Sequence, residues 1–290
     1  MYYEFAKIRG FLICAHELRP ARSWREAGWG NLGLSRRVGH MATRPHWILD
    51  LHPDFPSSLL VLERRPEAVV LQREDVVKGN WPELSGPMVG YGTMFSMTRL
   101  RRHPRLGVAV SDDYRLLRCS SYYRWTYDLL GRNCLLVPLD GLGSLPLERI
   151  FGSHFFLRSD SNYKIFTAAT HSTDHLPDWL QDHAGELAVI SEVIPILQEY
   201  RCFCRHGQFV CGSSYPEEPY TEVPVEVRLM AEKAAQRMHH QGLNLCTVDI
   251  ATCPDGRLRL IEIGGVHSWG LYGSDPDAFI DALEAEALDC

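Results

Sequence analysis

The chain has 290 residues, 45% of them hydrophobic and 23% charged, with a formal net charge of −6. These are the proportions of a folded water-soluble protein, with length for two or three compact units. The acidic balance argues against a general affinity for nucleic acid or for an anionic membrane.

At the start, "MYYEFAKIRGFLICAHE" sets Glu4, Lys7 and Arg9 before a short apolar run, Phe11 to Ala15. That is not a secretory signal, and no stretch has the length of a membrane span. "GWGNLG", Gly28 to Gly33, matches G-x-G-x-x-G, but polar, helix-like "ARSWREA" stands where a buried strand is required, so a loop is expected. "SSLLVLE" and "EAVVLQ" read as strands or strand–helix pieces. Arginine is dense from Thr98 to Arg118, as a solvated face or as a contact for an anionic small molecule.

"SSYYRWTYDLLGRN" reads as a helix capped by Ser120 or Ser121 and ended at Gly131. "NCLLVPL" and "SHFFLRS" read as strands, the second running into a polar loop. "ELAVISEVIPI" is an apolar strand, and "EYRCFCRHGQFVCGSS" a hairpin turning at His206-Gly207. In "VPVEVRLMAEKAAQRMHHQG", Val227, Met230, Ala231, Ala234 and Met238 share one helical face. A last helix begins at Asp275-Pro276. The class is α+β. Nine cysteines, an odd number without C-x-x-C pairing, predict reduced, mostly buried thiols and a cytoplasmic location.

Two apolar runs, "LCTVDIATC" and "RLRLIEIGG", flank Pro254-Asp255-Gly256, and each carries one acid. Counting outward from a two-residue Asp255-Gly256 turn sets Asp249 opposite Glu262. It also sets Leu258 and Leu260 on the face of Glu262. Like charges so placed repel, and three remedies stand: a shared proton, exposure to bulk water, or a cation such as magnesium. The loop that follows, "GGVHSWGLYGSD", has glycines that let backbone approach a ligand closely.

"FFLRSDSNYKIFTA" (155–168), "VISEVIPILQEYRCF" (189–203) and "VDIATCPDGRLRLIEIGG...SWGLYGSD" (248–275) occur in an order that resembles the ATP-grasp superfamily, in the clade marked by two arginines and a lysine. The resemblance implies a smaller α/β domain over residues 1–118. It also implies an ATP-grasp domain over 119–290, two subdomains clasping ATP about a hinge near 191–194. It implies that Arg158, Lys164 and Arg201 contact the nucleotide phosphates and that Ser191, Glu192, Val193 and Ile194 read adenine. It assigns magnesium to Asp249 and Glu262. For Glu199, ribose contact, substrate contact and plain ion pair remain open. Many relatives have Asn at the place of Gly264 and Arg at that of Thr247. His267 and Ser268 are the replacement ligands to consider, and Arg201 the replacement cation.

The implied activity is an ATP-dependent carboxylate–amine ligase acting through an acyl phosphate, with Arg201 and Lys164 as catalytic residues. Its partners are a small-molecule or peptide carboxylate and an amine. No protein nucleophile is expected, since "VCGSSY" is no nucleophile elbow. A non-catalytic ATP-binding module and a protein-modifying enzyme on the same scaffold are the alternatives.

Overall fold

The computed structural model describes residues 44–216 and 218–289. The N-terminal run and the Gly28–Gly33 motif lie outside the described residues.

Strand β1 (His46–Asp50) pairs in parallel with β2 (Val69–Leu71) on one side and β3 (Met88–Tyr91) on the other. Helices α1 (Ser57–Arg64) and α2 (Arg73–Lys78) make the connections, and α3 (Met94–Arg101) follows β3. "SSLLVLE" is therefore helix and "EAVVLQ" supplies a strand. Parallel pairing needs such crossovers, and the strands they cover are apolar on both faces, as Ile48, Leu49, Val89 and Tyr91 are here.

The next elements are α4 (Cys119–Leu130), β4 (Cys134–Pro138), α5 (Leu147–Phe151), β5 (His154–Ser159), β6 (Ala169–Ser172) and β7 (Leu187–Ser191). Their strands form an antiparallel sheet in the order β4-β7-β5-β6. Residues 192–197 then cross to a second antiparallel sheet. It contains β8 (Gln198–Arg205), β9 (Gln208–Tyr215), β10 (Leu245–Thr252) and β11 (Leu258–Gly264), in the order β11-β10-β8-β9. Helix α6 (Val225–His239) leads into β10, and α7 (Pro276–Asp289) closes the described chain.

One face of the second sheet is core. Val248, Ile250, Leu260 and Ile263 pack with Val227, Ala231, Ala234 and Met238 of α6 and with Tyr122 and Leu130 of α4. The opposite face is divided. Phe203 and Leu245 meet Phe279 and Ile280 of α7, whereas the other end carries Arg201, Asp249 and Glu262.

The β10–β11 hairpin has the expected acid pair, but by a different route. Gly256 N–H donates to Cys253 O, and Cys253 N–H to Arg257 O, so Pro254-Asp255-Gly256 is a three-residue loop. Gly256 takes φ +75°, the left-handed position such loops require. This shifts the near pairs by one, to Thr252–Leu258, Ala251–Arg259 and Ile250–Leu260. An irregularity at Ile261 then restores the count, and Asp249 stands opposite Glu262. The two departures cancel at the acids and not before them. Leu258 and Leu260 therefore lie on the core face rather than beside Glu262.

Helix α4 corrects another expectation. Neither serine caps it, and Arg118 stands at the cap without a side-chain bond. The cap comes from the loop after β5. Asp160 Oδ1 accepts from Ser120 N–H at 2.6 Å, Oδ2 from Ser120 Oγ–H at 3.0 Å, and its carbonyl from Cys119 N–H at 3.0 Å. Arg118 Nε adds 2.8 Å to Oδ2. An anion here also complements the positive helix end. At the other end Gly131, φ +59°, terminates the helix as expected.

Asp160→Ala removes these side-chain bonds from a buried carboxylate. Urea unfolding is expected to show a loss of about 2 kcal/mol, with Tyr127→Ala, at an exposed position further along the same helix, costing under about 0.5 kcal/mol.

Candidate active site

Asp249 on β10 faces Arg201 on β8 to one side and Glu262 on β11 to the other. Arg201 grips Asp249 through both arms, Nε to Oδ1 at 3.0 Å and Nη2 to Oδ2 at 2.8 Å. Arg158, at the end of β5 in the other sheet, donates from Nη2 to Glu262 Oε1 at 2.6 Å and from Nη1 to the carbonyl of the bulged Ile261 at 3.2 Å. All four residues are buried. Two acids that would repel are thus held in a charge-balanced quartet. Burial pushes the Glu262 carboxyl up, but the charges of Arg158 and Lys164 outweigh it and hold it below its ordinary range.

Aromatic rings surround the cations. The Arg201 guanidinium lies 4.5 Å from the Tyr215 ring, 4.6 Å from Trp269 and 5.2 Å from Tyr272. Lys164, in the loop after β5 with φ +49°, places Nζ 4.6 Å from Trp269. Arg201 and Lys164 therefore share one indole.

Tyr215 is placed between two acids. Its hydroxyl contacts a Glu199 oxygen and, at 2.9 Å, Asp249 Oδ2. A phenol has one proton to give, so a second proton is needed to satisfy both carboxylates. Burial and the Asp249 charge push the Glu199 carboxyl up to about 7, so Glu199 gains and loses a proton near neutral pH.

Strand β7 ends at Ser191, as the segment between the sheets begins. The Glu192 carboxylate is taken by Asn133, through its N–H at 3.0 Å and its amide at 2.5 Å. The N–H groups of Val193 and Ile194 have no hydrogen-bond partner among the described residues. Val193, Ile196 and Leu197 expose large apolar side chains there.

Residues 143–282 match a family model, that of the ATP-grasp domain in family 2 of the clade named for two arginines and a lysine. The chain carries an ATP-grasp domain. Solved structures share its fold. The ATP-grasp ligase PsnB, complexed with minimal precursor, Mg and ADP, superposes with a TM-score of 0.54 at 15% identity, covering 83% of this chain and 98% of that one. D-cycloserine synthetase DcsG gives 0.55 at 13% identity, over 83% and 99% of the two chains. The D-alanine-D-alanine ligase from Coxiella burnetii gives 0.57 at 9% identity, over 85% and 96%. No curated protein sequence matches the chain.

Within this ATP-grasp domain the geometry explains the glycine at 264. Gly264 pairs with Thr247 across the hairpin. A Cβ at Gly264 would stand 2.6 Å from the Trp269 ring and 2.7 Å from Thr247 Oγ1. The indole fills the space a longer side chain at 264 would need. His267 is no replacement ligand, because both ring nitrogens are engaged. Nδ1 meets the Gly90 carbonyl at 2.6 Å and so carries the proton, while Nε2 accepts from Ser111 N–H at 3.0 Å. Ser268 Oγ is turned to the Met94 sulfur at 3.6 Å.

The donor chemistry suits a hard divalent cation. Two buried carboxylates stand in direct cross-strand register, and Glu262 Oε2 has no hydrogen-bond partner among the described residues. Thr247 Oγ1 and Trp269 Nε1 beside them are buried without partners, as at a site built to receive a polar ligand.

Sequence reasoning missed Trp269, Tyr215 and Tyr272. The only signal for the first and last was a pair of aromatics inside a glycine-rich run. Tyr215 gave none, because its partners lie on other strands.

Glu199 supplies a pH prediction. A carboxyl raised above its unfolded value contributes stability at low pH that is lost as pH rises through the folded value of about 7. The stability difference between wild type and Glu199→Gln is therefore expected to change by on the order of 2 kcal/mol between pH 5 and pH 8, read by urea midpoints. A pH-independent difference would assign Glu199 an ordinary acidity.

Proposed function

We propose that the protein is an ATP-dependent carboxylate–amine ligase, forming an amide through an acyl phosphate. The observation that carries this reading is the meeting of Arg158, Lys164 and Arg201 with the Asp249–Glu262 pair at one end of the second sheet. Residues up to 118 serve as the preceding domain that shapes the acceptor side. The free thiols among the described residues fit a reducing, cytoplasmic setting.

The adenine lies against the segment after Ser191. Free N–H groups at Val193 and Ile194 read its edge, and the exposed Val193, Ile196 and Leu197 cover its face. Glu192, tied to Asn133, holds the segment's shape rather than the base. Glu199, beside Tyr215 and Asp249, has the position to meet a ribose or substrate hydroxyl.

Arg158, Lys164 and Arg201 offset the phosphate charge. Magnesium, when bound by Glu262 and Asp249, neutralises further charge on the phosphates. Arg201 has two occupations to choose between, Asp249 or a phosphate. Turning to the phosphate releases the Asp249 oxygens. The substrate carboxylate oxygen then attacks the γ-phosphorus as the bond to ADP breaks. The amine attacks the acyl carbon, phosphate leaves with the bonding pair, and the amine gives up a proton. Both steps build negative charge beside these cations, which is where catalysis by positioning and charge stabilisation operates.

Calorimetry with Mg²⁺ and ATP is expected to show saturable binding, and ADP with phosphate should be released over a panel of carboxylates only when an amine is present. Binding without amine-dependent release would favour a non-catalytic nucleotide module. Glu262→Gln is expected to weaken Mg-ATP binding by about tenfold or more, with folding checked by thermal unfolding. Unchanged affinity in the folded variant would remove the metal assignment.

A further inference from the structure

Helices α2 and α3 leave between them an open groove of about 360 Å³. Lys78, Arg99, Arg102 and His103 line it, together with Trp81, and among the described residues no carboxylate does. In a chain of net charge −6 this is a local reversal of sign. It accounts for part of the arginine-dense stretch that the ligase reading leaves unused.

The cations are set in place rather than scattered. Arg99 donates from Nη1 to the Phe95 carbonyl at 3.3 Å, and its guanidinium lies 3.6 Å from the Phe95 ring. Arg73 covers the same ring at 4.6 Å. Among the described residues Lys78 pairs with one acid, exposed Glu74 at 3.4 Å, a contact of little worth that an incoming anion can exchange. The Trp81 and His103 rings lie 5.9 Å apart and give the groove an apolar wall. Gly79, φ +75°, ends α2 and turns the chain toward Trp81.

The shape selects among anions. A small ligand gains affinity by being largely enclosed, which an open groove does not offer. A single-stranded nucleic acid needs a series of stacking rings and a positive overall field, and the groove has one tryptophan on an acidic protein. An extended segment with several carboxylates can engage the cations together. We propose that this groove docks an acidic peptide segment, with Lys78, Arg99 and Arg102 pairing its carboxylates and Trp81 packing against its apolar atoms. Docking here needs no nucleotide, so this inference and the ligase reading stand or fall separately.

The test is fluorescence anisotropy of the full chain with a labelled Glu-rich peptide in the absence of ATP. Saturable binding that weakens as salt is raised is expected, and the Gln-for-Glu version of the peptide should not bind. Lys78→Glu with Arg99→Glu should weaken binding by about tenfold or more while the Mg-ATP affinity is unchanged. If that pair fails to fold, Lys78→Gln with Arg99→Gln replaces it, with a smaller loss expected. Equal binding by the folded charge variants, equal binding of the Gln peptide, or tighter binding of a single-stranded RNA overturns the proposal. Displacement of the peptide by phosphate at matched charge concentration also overturns it, in favour of a small-anion site.

Discussion

Two carboxylates facing one another across a buried strand pair can persist only if something of opposite charge is built in beside them. Here that is a pair of guanidiniums, and their origin ties the halves of the domain together. Arg201 comes from the neighbouring strand of the same sheet, while Arg158 comes from β5 of the other sheet. Removing one member leaves its partner buried and unpaired, which costs about 3–5 kcal/mol in comparable buried pairs. On the function proposed above, the same four side chains are the ones a magnesium–nucleotide complex would compete for, and the charge balance that holds the fold is what such a ligand would rearrange.

Trp269 extends that logic. The indole occupies the space beside Gly264, stacks under Arg201 and faces Lys164. An amide side chain at 264 and this indole exclude each other, so the glycine is a packing requirement and not simply a missing ligand. The arrangement leaves Thr247 Oγ1 and Trp269 Nε1 buried without partners among the described residues, an unfavourable state for polar atoms out of reach of water.

Much of this was legible in the sequence, for identifiable reasons. The helices α6 and α7 carry strong periodicity and end signals, and the β8–β9 hairpin turns at His206-Gly207, where both residues take positive φ. The opposition of Asp249 and Glu262 was also readable, although the count behind it passed through a turn one residue too short and missed the bulge at Ile261. A bulge depends on what packs against the strand, here the Arg158 contact to the Ile261 carbonyl, and that partner is distant in sequence. Distance in sequence also hid the Asp160 cap, the aromatic surround of Arg201 and the engagement of both His267 nitrogens.

The cap on α4 has a mechanical consequence for Lys164. Asp160 is clamped to the helix and to Arg118, so the polar loop is anchored at that point. Four residues on, Lys164 is exposed, its ammonium against the Trp269 ring and its neighbour Tyr163 against the tilted ring of Tyr114 at 4.7 Å. A tether of that length spans at most about 14 Å. Phe166, two residues further on, is buried in the core of the first antiparallel sheet, so the backbone at Lys164 is pinned on both sides. Movement of the ammonium away from the indole is then left to the side chain, and lengthening the loop between Asp160 and Phe166 would dilute it over a larger volume.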